Sequence, residues 1–164
     1  MNRWQISGIT LIVLVSILFA RYFFQGAEGR IRGQLARLEG LVSYSVGEGN
    51  LQSVAQAKRL SRLFTEETLL EFKAGGRSHD RMMGRAEVLQ AALTVRKQIS
   101  ALEAKLYDIM VELADDKQSA KVRATGWMQI AEQESAMKED FVFTFRKTDG
   151  GWLIHRIENA ETSH

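Results

Sequence analysis

The sequence feature that most constrains what this chain can fold into is a long apolar run at its N-terminus, residues 4–24. No charged side chain occurs in the run before Arg21. A helix of about 20 apolar residues spans the hydrocarbon core of a bilayer. Arg21 can extend its long side chain to the headgroups, and Trp4 and Tyr22 occupy positions typical of interfacial aromatic residues. The run therefore predicts a single transmembrane helix.

A cleaved signal peptide is the alternative interpretation of the same run. Only Arg3 supplies a charged side chain before the run, and the apolar stretch is long for a signal peptide. The sequence Leu18–Phe19–Ala20 also lacks the pair of small residues that marks a cleavage site. We therefore expect an uncleaved anchor over residues 1–25.

The rest of the chain is long enough for one domain with its own hydrophobic core. We expect a juxtamembrane segment with a first helix over residues 26–49, a folded domain over 50–160 and a tail over 161–164. The chain contains no cysteine, which excludes disulfides and thiolate metal sites. Its three histidines show no ligand spacing, so we expect neither a metal ion nor a cofactor.

Basic residues are concentrated near the predicted anchor. Up to Phe64 the chain has eight Lys and Arg against three Glu, whereas acidic residues are in excess beyond it. Anionic headgroups attract such residues by about 1 kcal/mol each, and the lipid-facing set is expected to be Arg21, Arg30, Arg32 and Arg37. No basic stripe is interleaved with aromatic residues, so nucleic acid is not an expected partner.

Hydrophobic spacing predicts three helices and then long strands. Ile31, Leu35 and Leu38 recur at helical intervals, and further amphipathic helices are predicted over residues 51–64 and 86–99. Strands are predicted over residues 68–72, 106–113, 120–131, 141–147 and 152–158.

Two connections complete this outline. Asp149–Gly150 lies between two alternating runs and predicts a tight hairpin. The glycine-rich, charged segment 73–85 is predicted to be a loop. Helices that cover one face of an antiparallel sheet make an α+β domain, and this is the expected fold class behind the transmembrane helix.

Three stretches of sequence together resemble a known superfamily. They are RLFTEETLLEF, MGRAEVLQAAL and DFVFTFRKTDGGWLIHRIEN, and they occur in this order. They are similar to the nuclear transport factor 2-like superfamily, including its SnoaL-like branch, over residues 30–160. The resemblance implies a cone-shaped domain in which a bent antiparallel sheet wraps three helices and leaves a pocket at its wide end.

The resemblance also implies where side chains lie. Phe72 lies near a pocket position of the family. Strand alternation then places further aromatic residues in the pocket, namely Tyr107, Phe141, Phe143 and Phe145. The outer face of the sheet is expected to carry Leu106, Met110 and Trp127 among charged residues, as a surface for a partner.

Steroid isomerases of this superfamily carry two pocket acids and a tyrosine. The matching positions here fall near Phe72, Phe141 and Val42, so the resemblance implies loss of that acid–base chemistry. A slip of one residue would bring Glu71 or Asp140 into the pocket instead.

Dehydratases of this fold use a histidine with a carboxylate. Only His155 lies on a predicted core strand, with Tyr107 and Asp108 on a strand expected to be its neighbour. The catalytic candidates are therefore His155, Asp108 and Glu71, although the depleted pocket positions favour a protein that is not an enzyme.

Membrane-anchored members of the superfamily share the expected architecture of one span and one cone domain. They include assembly factors of type IV secretion systems and Mce-associated membrane proteins. The resemblance implies a homodimeric interaction or assembly module of a bacterial envelope complex, held in the inner membrane with a periplasmic domain. The arginines after the span favour the cytoplasmic side instead. The alternative function is a small-molecule binder, or a SnoaL-like isomerase or dehydratase that uses the cone pocket.

Overall fold

The computed structural model describes residues 26–74 and 77–159. The predicted anchor over 1–25, including Arg21, and the predicted tail over 161–164 lie outside these ranges. Within the described ranges, no helix has both the length and the apolar character needed to cross a bilayer.

Three helices and six strands make up the described chain. The helices are α1 (Ala27–Val42), α2 (Asn50–Ser61) and α3 (Arg85–Gln98). The strands are β1 (Phe64–Ala74), β2 (Arg77–Gly84), β3 (Leu102–Leu113), β4 (Ser119–Ile130), β5 (Met137–Thr148) and β6 (Gly151–Asn159). The predicted α+β class and its three helices are confirmed.

All six strands form one sheet in the order β2-β1-β6-β5-β4-β3. The sheet is mixed. Strands β1 and β6 pair in parallel, whereas every other pair of neighbouring strands in the sheet is antiparallel. The expectation of a purely antiparallel sheet was therefore wrong. The parallel pair joins the first strand to the last, and no local sequence pattern reports a contact between segments so far apart.

Strand β2 replaces much of the loop predicted over residues 73–85. It pairs with β1 from Glu67↔Gly84 to Ala74↔Arg77 and forms one edge of the sheet. An edge strand pairs on one side only and tolerates charged side chains, so its polar composition resembles that of a loop.

The core lies between the helices and one face of the sheet. From α1, Ile31 and Leu35 are fully buried, in agreement with their helical spacing. They join one cluster with side chains of the central strands, of which Val122, Phe145 and Ile154 are the most completely buried. This inner face of the sheet positions the site described below.

A bulge in β3 changes which side chains point inward. The register shifts between Tyr107 and Met110, and Asp108 adopts a left-handed backbone with φ of 52°. An extra residue in one strand reverses the alternation beyond it. Leu106 and Ile109 consequently both pack against the core, although they are three positions apart.

Candidate functional site

An apolar cavity of about 340 Å³ lies between the helices and the inner face of the sheet. An adjoining cavity of about 350 Å³ extends toward α3 and β1. The two share five lining residues, Val42, Leu60, Phe64, Phe72 and Ile157. They therefore form neighbouring lobes of one apolar interior site.

Small residues on the strands leave this space open. Ala104 and Gly126 line the first lobe, and Phe141 packs directly on Gly126. A Cβ atom added at Gly126 would lie 2.6 Å from Cε2 of the Phe141 ring. The absent side chain at Gly126 thus allows the ring to lie close to strand β4.

The three positions at which the resemblance places catalytic groups all line the first lobe. They are Val42 at the end of α1, Phe72 on β1 and Phe141 on β5. None of these side chains can exchange a proton. The positions that the resemblance assigns to catalytic groups are therefore apolar in this lobe.

The acids next to these positions have partners elsewhere. Glu71 forms an ion pair with Arg156, which also contacts Glu158 at 3.0 Å. Asp140 accepts a hydrogen bond from the Thr125 hydroxyl at 2.7 Å. Neither acid lines the two lobes. The alternative alignment, shifted by one residue, would have placed Glu71 or Asp140 in the pocket as a base, and neither acid lies there.

His155 lies at a bulge of β6, where the register with β5 shifts. Its Nδ1 is 3.3 Å from the Thr65 hydroxyl, and burial lowers its pKa, as do the nearby Arg146 and Arg156. The expected pairing with Tyr107 or Asp108 was wrong, because strands β5 and β4 separate β6 from β3. Long-range strand order, which the sequence does not report, decides this distance.

The expected aromatic lining divides into three groups. Phe72, Phe141 and Phe143 line the first lobe. Phe145 is fully buried in the core and does not line it. Tyr107 is 47% exposed, because the β3 bulge follows it and Leu106 takes the inward position.

Sequence reasoning overlooked one carboxylate, that of Glu39. This residue lines the first lobe from the last turn of α1, and its Oε2 accepts a hydrogen bond from the Leu106 amide at 3.0 Å. Lys105 also lines the lobe, but its Nζ contacts Glu103 at 2.6 Å and the face of Trp127. Glu39 directly follows Leu38, which the helical spacing places on the inward face of α1, and its position beside that face was the signal in the sequence that Glu39 could border the core.

A buried cluster closes the second lobe near α3. Arg96, whose side chain is 4% exposed, pairs with Glu48 and donates a hydrogen bond to the Leu41 carbonyl at 2.6 Å. Its guanidinium lies 4.6 Å from the centre of the Tyr44 ring. Burial raises the pKa of the Tyr44 hydroxyl, and the Arg96 charge opposes this effect. The cluster joins the loop after α1 to α3.

The expected partner surface is only partly on the outer face. Leu106 lines the inner lobe, which corrects its expected outward position. Met110 is 56% exposed and borders a shallow outer groove with Arg123. Trp127 alternates with the buried Gly126 along β4, but it also lines the first lobe, and its ring centre lies 5.3 Å from Nζ of Lys105.

The basic residues expected to face lipid differ in their surroundings. Arg32 pairs with Glu28 at 3.0 Å and donates a hydrogen bond to the Ile109 carbonyl. Arg30 and Arg37 are exposed on α1. No group of three or more His, Asp or Glu residues in the described ranges is arranged to hold a metal ion.

Solved structures share this fold. A nuclear transport factor 2-like protein with a cystatin-like fold from Novosphingobium aromaticivorans is 20% identical, with a TM-score of 0.61 over 89% of this chain and 88% of its own. A candidate scytalone dehydratase from the same organism is 15% identical, with a TM-score of 0.60 over 80% and 82% of the chains.

A third similar structure comes from Pseudomonas putida. It is a nuclear transport factor 2-like protein of unknown function, 11% identical, with a TM-score of 0.60 over 82% of this chain and 85% of its own. No protein-family model and no curated protein matches the sequence. At these identities the comparisons establish the architecture, and the chain has the nuclear transport factor 2-like fold.

Proposed function

We propose that this domain binds an apolar small molecule in the interior lobes without transforming it. The observation that carries the proposal is the apolar character of Val42, Phe72 and Phe141, which line an open lobe. Ligand sites commonly enclose about 300–1,000 Å³ and are mostly apolar with a few polar groups, and a lobe of about 340 Å³ meets both criteria.

Glu39 supplies the polar contact of this proposal. Its Oε2 is held by the Leu106 amide, and the carboxylate retains capacity to accept further hydrogen bonds. A ligand with a hydroxyl or amine at one end and an apolar body would satisfy both the carboxylate and the aromatic lining. Lys105 is the other ionisable side chain that lines this lobe, and its Nζ already contacts Glu103 at 2.6 Å.

The location of the domain is part of the proposal. The uncharged run that begins at Trp4 supports a membrane anchor. A bacterial inner membrane with the domain on the periplasmic side follows from the resemblance to anchored members of the superfamily, whereas the arginines after the run favour the cytoplasmic side. An anchored apolar-ligand domain would have access to molecules that partition into the bilayer. Reporter fusions active only in the periplasm or only in the cytoplasm would determine the side.

The test fills the lobe with a larger side chain. Ala104→Leu adds volume to the lobe wall, and Ala55→Leu makes the same change on the exposed surface of α2. Titration of the full chain with the neutral dye N-phenyl-1-naphthylamine should show binding that Ala104→Leu removes and Ala55→Leu retains. Equal dye binding by all three proteins, in the same detergent, would contradict the proposal.

A second candidate function is the interaction or assembly module of an envelope complex. Tyr107 and Met110 are 47% and 56% exposed on the outer face, and exposed apolar side chains often mark a partner surface. A homodimer through this face is the specific form of the proposal. Met110→Glu should then shift the full chain from dimer to monomer in light scattering, whereas Leu51→Glu on α2 should not.

A further inference from the structure

A groove with three arginines lies on the helical side of the domain; it shares no lining residue with the first lobe and only Leu41 with the second. It encloses about 580 Å³ between α1, α2 and the turn that joins β5 to β6. Arg37 enters from α1, Arg59 from α2, and Arg62 follows directly after α2. Leu63 and Leu153 are buried beside them. The groove is thus a concave, cationic surface with an apolar floor.

The lining of this groove contains no acidic residue, and its three arginines form no ion pair within the described residues, a property that they share with Arg30, Arg123 and Arg146. Arg32, Arg96 and Arg156 each form an ion pair with a glutamate. Within residues 26–74 and 77–159, no carboxylate lies within ion-pair distance of Arg37, Arg59 or Arg62. Like charges that share a groove repel one another unless an anion lies between them.

Favourable interaction with the dipole of α2 explains the positions of only some of the arginines in this groove. Lys58, Arg59 and Arg62 lie at the C-terminal end of α2, where cations interact favourably with the helix dipole. Arg37 belongs to a different helix, and its presence in the same groove has no such explanation. The guanidinium group forms paired hydrogen bonds with phosphate oxygens, so a phosphate is an anion that suits a groove lined by three arginines.

We propose that this groove binds the phosphate headgroup of an anionic phospholipid at the membrane surface. Only six residues, 21–26, lie between Ala20, the end of the uncharged run, and Ala27 at the start of α1. Such a segment spans at most about 25 Å, so α1 would remain near the headgroups. Arg30 precedes Arg37 by two helical turns and lies on the same flank of α1. The inference rests on the proposed membrane location and is independent of ligand binding in the interior lobes.

The absence of cysteine allows a single label to report on the groove. Gly40 lines the groove, and a Cβ atom there would contact nothing within 4 Å. The full chain with Gly40→Cys is labelled with an environment-sensitive dye and reconstituted in nanodiscs. One set of discs contains phosphatidylcholine alone, and the other also contains phosphatidylglycerol. A blue shift of the dye is expected only with the anionic lipid.

Charge variants test which residues cause the shift. Each Arg→Gln change at positions 37, 59 and 62 should weaken docking by roughly fivefold, the equivalent of about 1 kcal/mol, and the triple variant should lose the shift. The matched control removes three charges from the outer sheet face with Lys121→Gln, Arg123→Gln and Lys138→Gln, and should keep it. Circular dichroism establishes that both triple variants are folded.

Several outcomes would overturn the assignment. These are an absent anionic-lipid shift, a shift retained by the arginine triple variant, and a shift produced by inorganic phosphate or single-stranded DNA without anionic lipid. A chain that does not enter phosphatidylcholine discs contradicts the anchor itself. The groove is then tested by adding phosphatidylglycerol vesicles to the same labelled chain, so failure of the membrane location and failure of the groove are distinguishable.

Discussion

The two faces of the sheet carry opposite chemistry at adjacent positions of the same strands. On β1, Glu71 pairs with Arg156 while the next residue, Phe72, lines the interior lobe. On β5, Asp140 accepts a hydrogen bond from Thr125 while Phe141 lines the same lobe. Successive side chains of a strand point to opposite faces. If the inward-facing positions of these strands were shifted by one residue, acids would line the pocket in place of the aromatic rings.

On the outer face, Glu71 forms an ion pair and Asp140 accepts a hydrogen bond, so both acids have partners within the protein. The Glu71 side chain is 14% exposed and contacts a cation that serves a second carboxylate, Glu158. The interior face, by contrast, gains its free energy from apolar burial, which contributes about 25 cal/mol per Å². Substitutions on the inner face should therefore reduce stability strongly, whereas neutralising an acid on the outer face should reduce stability only slightly.

Removal of a large buried side chain should give the largest loss of stability. Phe145→Ala deletes a ring that is 0% exposed and leaves a void in the core. Such changes cost about 3–5 kcal/mol. Val142→Ala, three residues away beside the outer groove, should cost less than about 1 kcal/mol. Urea unfolding measures both, and equal losses would contradict the division between the two faces.

A methyl group at Gly126 should disturb the lobe from its wall. In Gly126→Ala the new Cβ would overlap the Phe141 ring, which lies 2.6 Å from that position. The ring must move into the lobe, and overpacking of this kind costs about 1–3 kcal/mol. Gly126→Ala should therefore both lower the stability of the domain and weaken its binding of the dye.

Gly40→Ala is the matched control for this change. Its Cβ meets nothing within 4 Å on the exposed side of α1. Alanine should stabilise the helix by about 0.5–1 kcal/mol relative to glycine. Thermal unfolding of both variants should therefore show shifts of opposite sign, and a shift of the same sign would contradict the close contact at Gly126.

Neutralising a paired acid on the outer face should give a smaller loss. Glu71→Gln removes one partner of Arg156, whose side chain is 37% exposed and partly solvated. We expect a loss of about 1 kcal/mol, between the values for exposed and buried pairs. Glu66→Gln, whose 79% exposed side chain pairs with Arg85, should change stability by less than about 0.5 kcal/mol. Unchanged dye binding in both variants would support a structural role for these acids.

The smallest expected effect is a dependence of stability on pH at His155. Burial lowers the pKa of this histidine below its ordinary value of 6.5. The unfolded chain therefore binds a proton first as the pH falls, and the stabilising contribution is present above pH 6.5 and lost below it. In His155→Gln the unfolding midpoint should vary less between pH 7.5 and pH 5.5, values chosen to bracket about 6.5. An identical pH dependence in both proteins would exclude this contribution.

Local periodicity predicted the parts of the fold whose burial repeats regularly. Ile31, Leu35 and Leu38 lie inward on α1 as their spacing indicates. The alternation along β4 likewise matches its burial, with Val122 and Ala124 inside. The same reasoning misplaced Leu106 and Tyr107, because it assumed unbroken alternation through the β3 bulge at Asp108.

The sequence by itself determined the elements that depend on neighbouring residues: three helices, the Thr148–Gly151 hairpin and the apolar character of the pocket positions. Only the tertiary structure decided which strands are neighbours, and with it the separation of His155 from Asp108. It also decided which arginines share a groove and that Glu39 borders the lobe. The physical reason is that periodicity records the burial of each side chain, whereas strand order and side-chain convergence depend on contacts between distant segments.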